Sequence, residues 1–170
     1  MKAIFLTGFM GCGKSTVGKL LAEHLGWEFV DLDERIEALA GKPIARIFSE
    51  NGEDEFRRLE HETLVEQARL ARDGNPRAAA LGGGAFTFER NRRAISAAGV
   101  SIWLDAPVET LWERVRGEQH RPLASDPEKF RALYAARRNS YAQADRRADA
   151  TAAPEHIVNE ILRDIESVPR

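Results

Sequence analysis

Residues 8–16 read Gly-Phe-Met-Gly-Cys-Gly-Lys-Ser-Thr, GFMGCGKST. They stand between a short apolar run, AIFLT at 3–7, and a stretch with helical spacing, VGKLLAEHL at 17–25. A turn from strand to helix needs one glycine or two. It does not need three glycines, a lysine and two hydroxyls. The segment matches G-x-x-x-x-G-K-[ST] as Gly8, Gly13, Lys14 and Ser15, after a strand and opening a helix, the context that makes the pattern specific. Glycines let backbone N–H groups curl around an anion with no Cβ in the way. The helix N-terminus adds free donors and partial positive charge. Lys14 is suited to bridging terminal phosphates, and the Ser15 hydroxyl to holding Mg²⁺. Cys12 reads as a small residue filling the loop.

Bulk properties narrow the setting. The chain has 170 residues, enough for one domain with a real core rather than two. A hydrophobic content of 43% and a charged content of 31% fit a globular protein without special bias. The net charge of −2 exerts no overall pull toward nucleic acid or membrane, so any anion site must be local. Cys12 is the single cysteine, which rules out an intramolecular disulfide. No apolar run reaches the length of a membrane span. The N-terminus enters a strand-like run at once, which leaves no room for a signal peptide. A cytoplasmic monomer with small-molecule partners is the expectation.

Apolar runs of strand length recur at 3–7, 28–32, 77–82 and 100–105, with a weaker fifth at 147–151. Helix-like stretches separate them at 14–25, 53–72, 88–98, 107–116, 127–145 and 154–167. Alternating strands and helices predict a parallel sheet covered on both faces, a three-layer α/β arrangement. The first four runs are nearly continuous in apolar character, as buried parallel strands are. In 53–72 the stripe Phe56, Leu59, Thr63, Leu64, Ala68 and Ala71 keeps helical period. The polar segment 116–129 is placed where a surface flap could lie.

Residues beyond the loop suggest an acceptor for phosphoryl transfer. The second strand ends in Asp31-Leu32-Asp33, and alternation would point both carboxylates toward the carboxyl edge of the sheet, where open parallel sheets bind ligands. One carboxylate can hold Mg²⁺ through water; the other can accept a proton from an acceptor hydroxyl. Helix capping competes for Asp33. In EFRRLE at 55–60, Arg57 and Arg58 project about 100° apart, so one can face the site, and a bidentate arginine suits a carboxylate. Glu60 is spaced to hold Arg57. Gly82, Gly83 and Gly84 close the third strand, sensibly so if a ligand approaches their backbone. Arg121 in HRPL and Arg137 in ARRNSY add cations, with Tyr141 four residues past Arg137. Arg121 could stabilise charge on the phosphates, and Arg114 or Arg116 could stack on a base.

No guanine-reading Asn-Lys-x-Asp segment is present, and the chain is short for a motor, which leaves small-molecule kinases among users of such a loop. The motifs in their order, GFMGCGKST, DLD, FRRLE, GGG, RPL and RRNSY, resemble the shikimate kinase family over nearly the whole chain. The resemblance implies a nucleoside monophosphate kinase-like fold of five parallel strands in the order 2-3-1-4-5. It implies ATP- and Mg²⁺-dependent phosphorylation of the 3-hydroxyl of shikimate. By that likeness Gly11, Cys12, Gly13, Lys14, Ser15 and Thr16 bind ATP phosphates, Arg121 reaches them from a lid at about 112–126, and Arg114 lies against adenine. Ser15 holds Mg²⁺, with Asp31 behind a water. The region 33–60 takes the acceptor: Asp33 on the hydroxyls as base, Arg57 and Arg137 on the carboxylate, Gly82 to Gly84 on the ring hydroxyls, and Phe48 and Phe56 lining the pocket. Lys14, Asp33 and Arg121 form the catalytic set. A kinase for another polyhydroxy acid such as gluconate, or a nucleotide-binding regulator without turnover, are the alternatives.

Overall fold

The computed structural model describes residues 2–118 and 125–167. Five strands, β1 (Ala3–Thr7), β2 (Glu28–Asp31), β3 (Arg77–Ala80), β4 (Val100–Asp105) and β5 (Arg146–Asp149), form one sheet in the order β2-β3-β1-β4-β5. Every pairing is parallel. The helices are α1 (Lys14–Leu25), α2 (Leu32–Ala40), α3 (Ile44–Asn51), α4 (Glu53–Arg72), α5 (Glu89–Ser96), α6 (Val108–Val115), α7 (Pro127–Tyr141) and α8 (Pro154–Glu166). Fold class and strand order agree with the expectation.

Strand β1 is central, and all five of its residues are buried. Its neighbour β3 reads Arg-Ala-Ala-Ala, a poor strand by propensity. It is held because ladders on both sides satisfy its backbone: Ala79 pairs with Phe5 of β1 and with Val30 of β2. Strand β2 is the sheet edge and is partly exposed, a correction to the reading of four buried strands. The apolar run could not reveal that, since hydrophobicity does not say which strand has a neighbour on only one side. The strands at 28–32, 77–82 and 147–151 are shorter or shifted in the structure, and the helix expected over 127–145 stops at Tyr141.

Helices α2 and α3, nine and eight residues long, lie outside the helical stretches expected from pattern. Gly41 in the left-handed region (φ 68°) closes α2, and Pro43 starts α3. With the start of α4 they enclose a small apolar cluster of Ile36, Ile47 and Phe56, distinct from the main core. A satellite lobe therefore stands over the β2 side of the sheet. Among the described residues no helix is long and apolar enough to cross a membrane.

Close packing beside β1 leaves no space at Gly99. A Cβ at Gly99, just before β4, would lie 2.7 Å from the Ala3 carbonyl carbon and closer still to its oxygen. Backbone cannot yield as a side chain can. Gly99→Ala is expected to cost about 3 kcal/mol; thermal unfolding should show a Tm drop on the order of 10 °C.

Candidate active site

The loop between β1 and α1 is shaped by three glycines at positive φ: Gly8 at 147°, Gly11 at 84° and Gly13 at 94°. Gly13 precedes α1 and supplies no side-chain cap, so the first N–H groups of the helix stay available to an anion. Lys14 Nζ donates to the Gly8 carbonyl at 2.7 Å and the Phe9 carbonyl at 3.3 Å, which places the ammonium inside the loop. Cys12 is buried, and a Cβ on Gly8 would sit 2.8 Å from its Sγ, so it packs the loop as expected. Helix α6 closes on the loop's back: a Cβ on Gly11 would be 2.8 Å from Val115 Cγ1. Arg114 of α6 donates to the Gly11 carbonyl at 3.1 Å and the Ala150 carbonyl at 2.8 Å, tying the loop to the exit of β5. Thr16 is exposed on the first turn of α1.

The two aspartates divide differently from the alternation argument. Strand β2 ends at Asp31, and Asp33 lies in the first turn of α2. Asp31 is the cap: its Oδ1 accepts from the N–H of Asp33 at 3.0 Å and of Glu34 at 3.2 Å. Its Oδ2 accepts from the Ser15 hydroxyl at 2.6 Å. Asp33 is thereby relieved of capping, the competing role considered for it. Its Oδ1 is buried with no hydrogen-bond partner among the described residues. Burial raises the Asp33 pKa, the Asp31 carboxylate raises it further, and Lys14 and Arg57 oppose both.

The triple glycine brings the remaining groups together. None of the three residues needs a left-handed backbone; each needs room. A Cβ on Gly82 would lie 2.6 Å from Asp33 Oδ1, one on Gly83 3.0 Å from Arg137 Nη1, and one on Gly84 2.7 Å from Arg57 Nη2. One carboxylate from α2 and two guanidinium groups from α4 and α7 thus meet over three consecutive glycines. Arg57 donates to the Oε1 of buried Glu60 at 2.9 Å, the spacing foreseen in the sequence. Burial raises the Glu60 pKa, and Arg57 pulls against that. The Arg57 guanidinium also lies 5.1 Å from the ring centres of Phe56 and Phe88. Its neighbour Arg58 turns to solvent and pairs with Glu55 and Glu62.

Phe56 is buried beneath Arg57, and Phe48, partly exposed, stacks on it at 4.7 Å between ring centres. Arg116 pairs with Glu113 at 3.0 Å rather than joining the site. Arg121 and the middle of the expected lid, at 119–124, lie outside the described residues. Two contributors went unassigned in the sequence. Phe88 stacks on Arg57, and the Tyr141 hydroxyl donates to the Gly83 carbonyl at 2.5 Å. The i to i+4 spacing of Arg137 and Tyr141 on one helix was the available signal for the second.

The chain matches the family model "Shikimate kinase" over residues 10–166. It is 45% identical over 164 residues to a shikimate kinase of Persephonella marina, covering 95% of this chain and 98% of the relative. It is 49% identical over 146 residues to one of Symbiobacterium thermophilum, covering 83% and 82%. Among solved structures, the shikimate kinase of Acinetobacter baumannii in complex with shikimate superimposes with a TM-score of 0.89 at 35% identity, covering 98% of this chain and 94% of that one.

Burying the Asp33 carboxylate has a stability consequence. A carboxyl whose native pKa is raised binds its proton more tightly folded than unfolded, so stability falls as pH rises from the unfolded value through the native one. Asp33→Asn removes that penalty. The variant should melt a few degrees above wild type at neutral pH, and the gap should narrow on acidification toward about pH 4. Differential scanning calorimetry across that range checks both; a gap that widens in acid contradicts the burial argument.

Proposed function

The chain belongs to the shikimate kinase family, and on that premise we propose how its residues divide the work of phosphoryl transfer. The enzyme moves the γ-phosphoryl group of ATP to the 3-hydroxyl of shikimate, giving shikimate 3-phosphate and ADP, a step of aromatic amino acid biosynthesis. The observation that carries the acceptor assignment is the convergence of Asp33, Arg137 and Arg57 on Gly82 to Gly84. A carboxylated polyol asks for that set: guanidinium forks for the acid, a carboxylate for the hydroxyls, and glycine backbone where the ring comes close.

Gly11 to Thr16 cradle the ATP phosphates, with Lys14 neutralising charge at the transferred group. Arg114 faces adenine, and Arg121, on the family likeness alone, reaches the phosphates. Asp33 takes the proton of the attacking hydroxyl. Its raised pKa makes it a stronger base than an exposed aspartate, closer to the pH at which it works. Arg57 and Arg137 hold the shikimate carboxylate, and Phe48 and Phe56 line its pocket.

The residues present fit Mg²⁺. The Ser15 hydroxyl and the Asp31 carboxylate form an adjacent pair of hard oxygen donors. Among the described residues no group of three or more His, Cys, Asp or Glu forms a closed cage, and Mg²⁺ on a nucleotide usually keeps several waters and phosphate oxygens instead. When bound, the ion would neutralise charge building on the phosphates. A cytoplasmic monomer with an acceptor region at about 33–60 and a lid at about 112–126 completes the reading.

A substrate panel in a coupled ADP assay tests the acceptor: shikimate should drive turnover, and gluconate should give no more than water. Asp33→Asn should lower kcat by roughly 10²- to 10⁴-fold. Arg57→Ala should weaken shikimate binding by about 2–4 kcal/mol while the KM for ATP survives. Loss of ATP affinity in Arg57→Ala would place that arginine on the other substrate.

A further inference from the structure

The carbonyls of the triple-glycine segment each have a donor within the protein. Gly82 O accepts from Ala85 N at 3.1 Å, and Gly84 O accepts from the Thr87 hydroxyl at 2.6 Å. Ala85 O accepts from Asn91 Nδ2 at 2.8 Å, and Arg92 Nη1 bonds the Phe86 and Thr87 carbonyls. All of these donors come from the segment itself or from α5 immediately after it. Gly83 O is different. Its partner is the Tyr141 hydroxyl, 58 residues away on α7. Among the described residues the N–H groups of Gly82, Gly83 and Gly84 have no backbone acceptor. With the carbonyls occupied, those N–H groups are the polar groups the segment can offer a ligand.

Tyr141 is fully buried, its ring 6.2 Å from that of Trp103. Burial pushes its phenol pKa up, so the hydroxyl stays protonated and donating across the working range of pH. Arg137 lies one turn earlier on α7, beside both that hydroxyl and the position of a Gly83 Cβ. The bond between Gly83 and Tyr141 therefore ties the glycine segment to the helix that carries Arg137. Phe9 flanks the same arginine, 6.0 Å from its guanidinium to the ring centre, but offers no polar anchor.

We propose that Tyr141 is a positioning residue for the acceptor substrate: its hydroxyl, bonded to the Gly83 carbonyl, holds the triple-glycine N–H groups in register with Arg137. The proposal rests on assigning Gly82 to Gly84 and Arg137 to the shikimate side. Removing the hydroxyl leaves the ring packed but leaves a carbonyl without its donor, free to rotate the Gly82 to Gly84 peptides away from the ligand.

The test compares Tyr141→Phe, Tyr134→Phe and Arg137→Ala. Tyr134 also lies on α7 and also donates to a backbone carbonyl, that of Ala106 at 3.2 Å, but away from the glycines. Steady-state kinetics with each substrate varied is the readout, with Tm measured alongside. Tyr141→Phe should raise the shikimate KM about tenfold, with kcat and the ATP KM within about twofold. Tyr134→Phe should leave the shikimate KM unchanged. A merely structural Tyr141 would lower Tm and the active fraction, so kcat would fall with both KM values unmoved; that result overturns the proposal. So does an unchanged shikimate KM in Tyr141→Phe while Arg137→Ala raises it. If Arg137→Ala itself leaves the shikimate KM unchanged, the acceptor assignment beneath the proposal is overturned.

Discussion

At the carboxyl end of β3, two arginines and an aspartate crowd onto backbone that carries no side chains. Arg57 is held against buried Glu60 by one bond at 2.9 Å and has Glu53 Oε1 3.5 Å from its Nε, yet that Nε and the second Glu60 oxygen are buried without hydrogen-bond partners among the described residues. Asp33 Oδ1 is in the same condition. Native interiors seldom leave polar atoms orphaned, and each one costs stability. Three within one small region cost the fold stability that the proposed acceptor's hydrogen bonds would return. The rest of the molecule can be understood as what keeps those groups apart from water and close to one another.

The sheet order does most of that positioning. Placing β1 between β3 and β4 sets the phosphate loop beside the triple glycine, since each follows the carboxyl end of its own strand. Placing β2 next to β3 brings Asp31 and Asp33 alongside, so a single Ser15–Asp31 bond joins the phosphate loop to the start of α2. The satellite cluster of Ile36, Ile47 and Phe56 then fixes the angle at which α4 presents Arg57. Helix α7 contributes Arg137 from the far side and, through Tyr141, reaches the same glycines.

Legibility varied by residue for physical reasons. The phosphate loop was readable because its chemistry needs particular residue types at fixed local spacing, and a loop six to eight residues long folds on itself. Arg57 with Glu60 was readable because three residues along a helix is a contact whatever surrounds it. Asp33 was misplaced by one element: where β2 stops depends on its partner β3, and only the loss of that pairing makes Asp31, the last strand residue, the cap of α2. The edge position of β2 and the separation of α2 from α3 were hidden for the same reason. They depend on neighbours far away in sequence.

What the amino-acid sequence determined alone was the chemistry available: a cradle for phosphate, a carboxylate, paired arginines, and glycines where bulk is forbidden. The family likeness added an acceptor to that list because order and spacing are properties of the chain itself. The tertiary structure decided which groups meet. Gly82, Gly83 and Gly84 could each have been mere flexibility; folded, each leaves room for a different side chain, from α2, α7 and α4. Tyr141 was an unassigned residue in a helix until the sheet set α7 against the glycine segment. Contacts across dozens of residues follow from packing a whole core, and no local pattern encodes them.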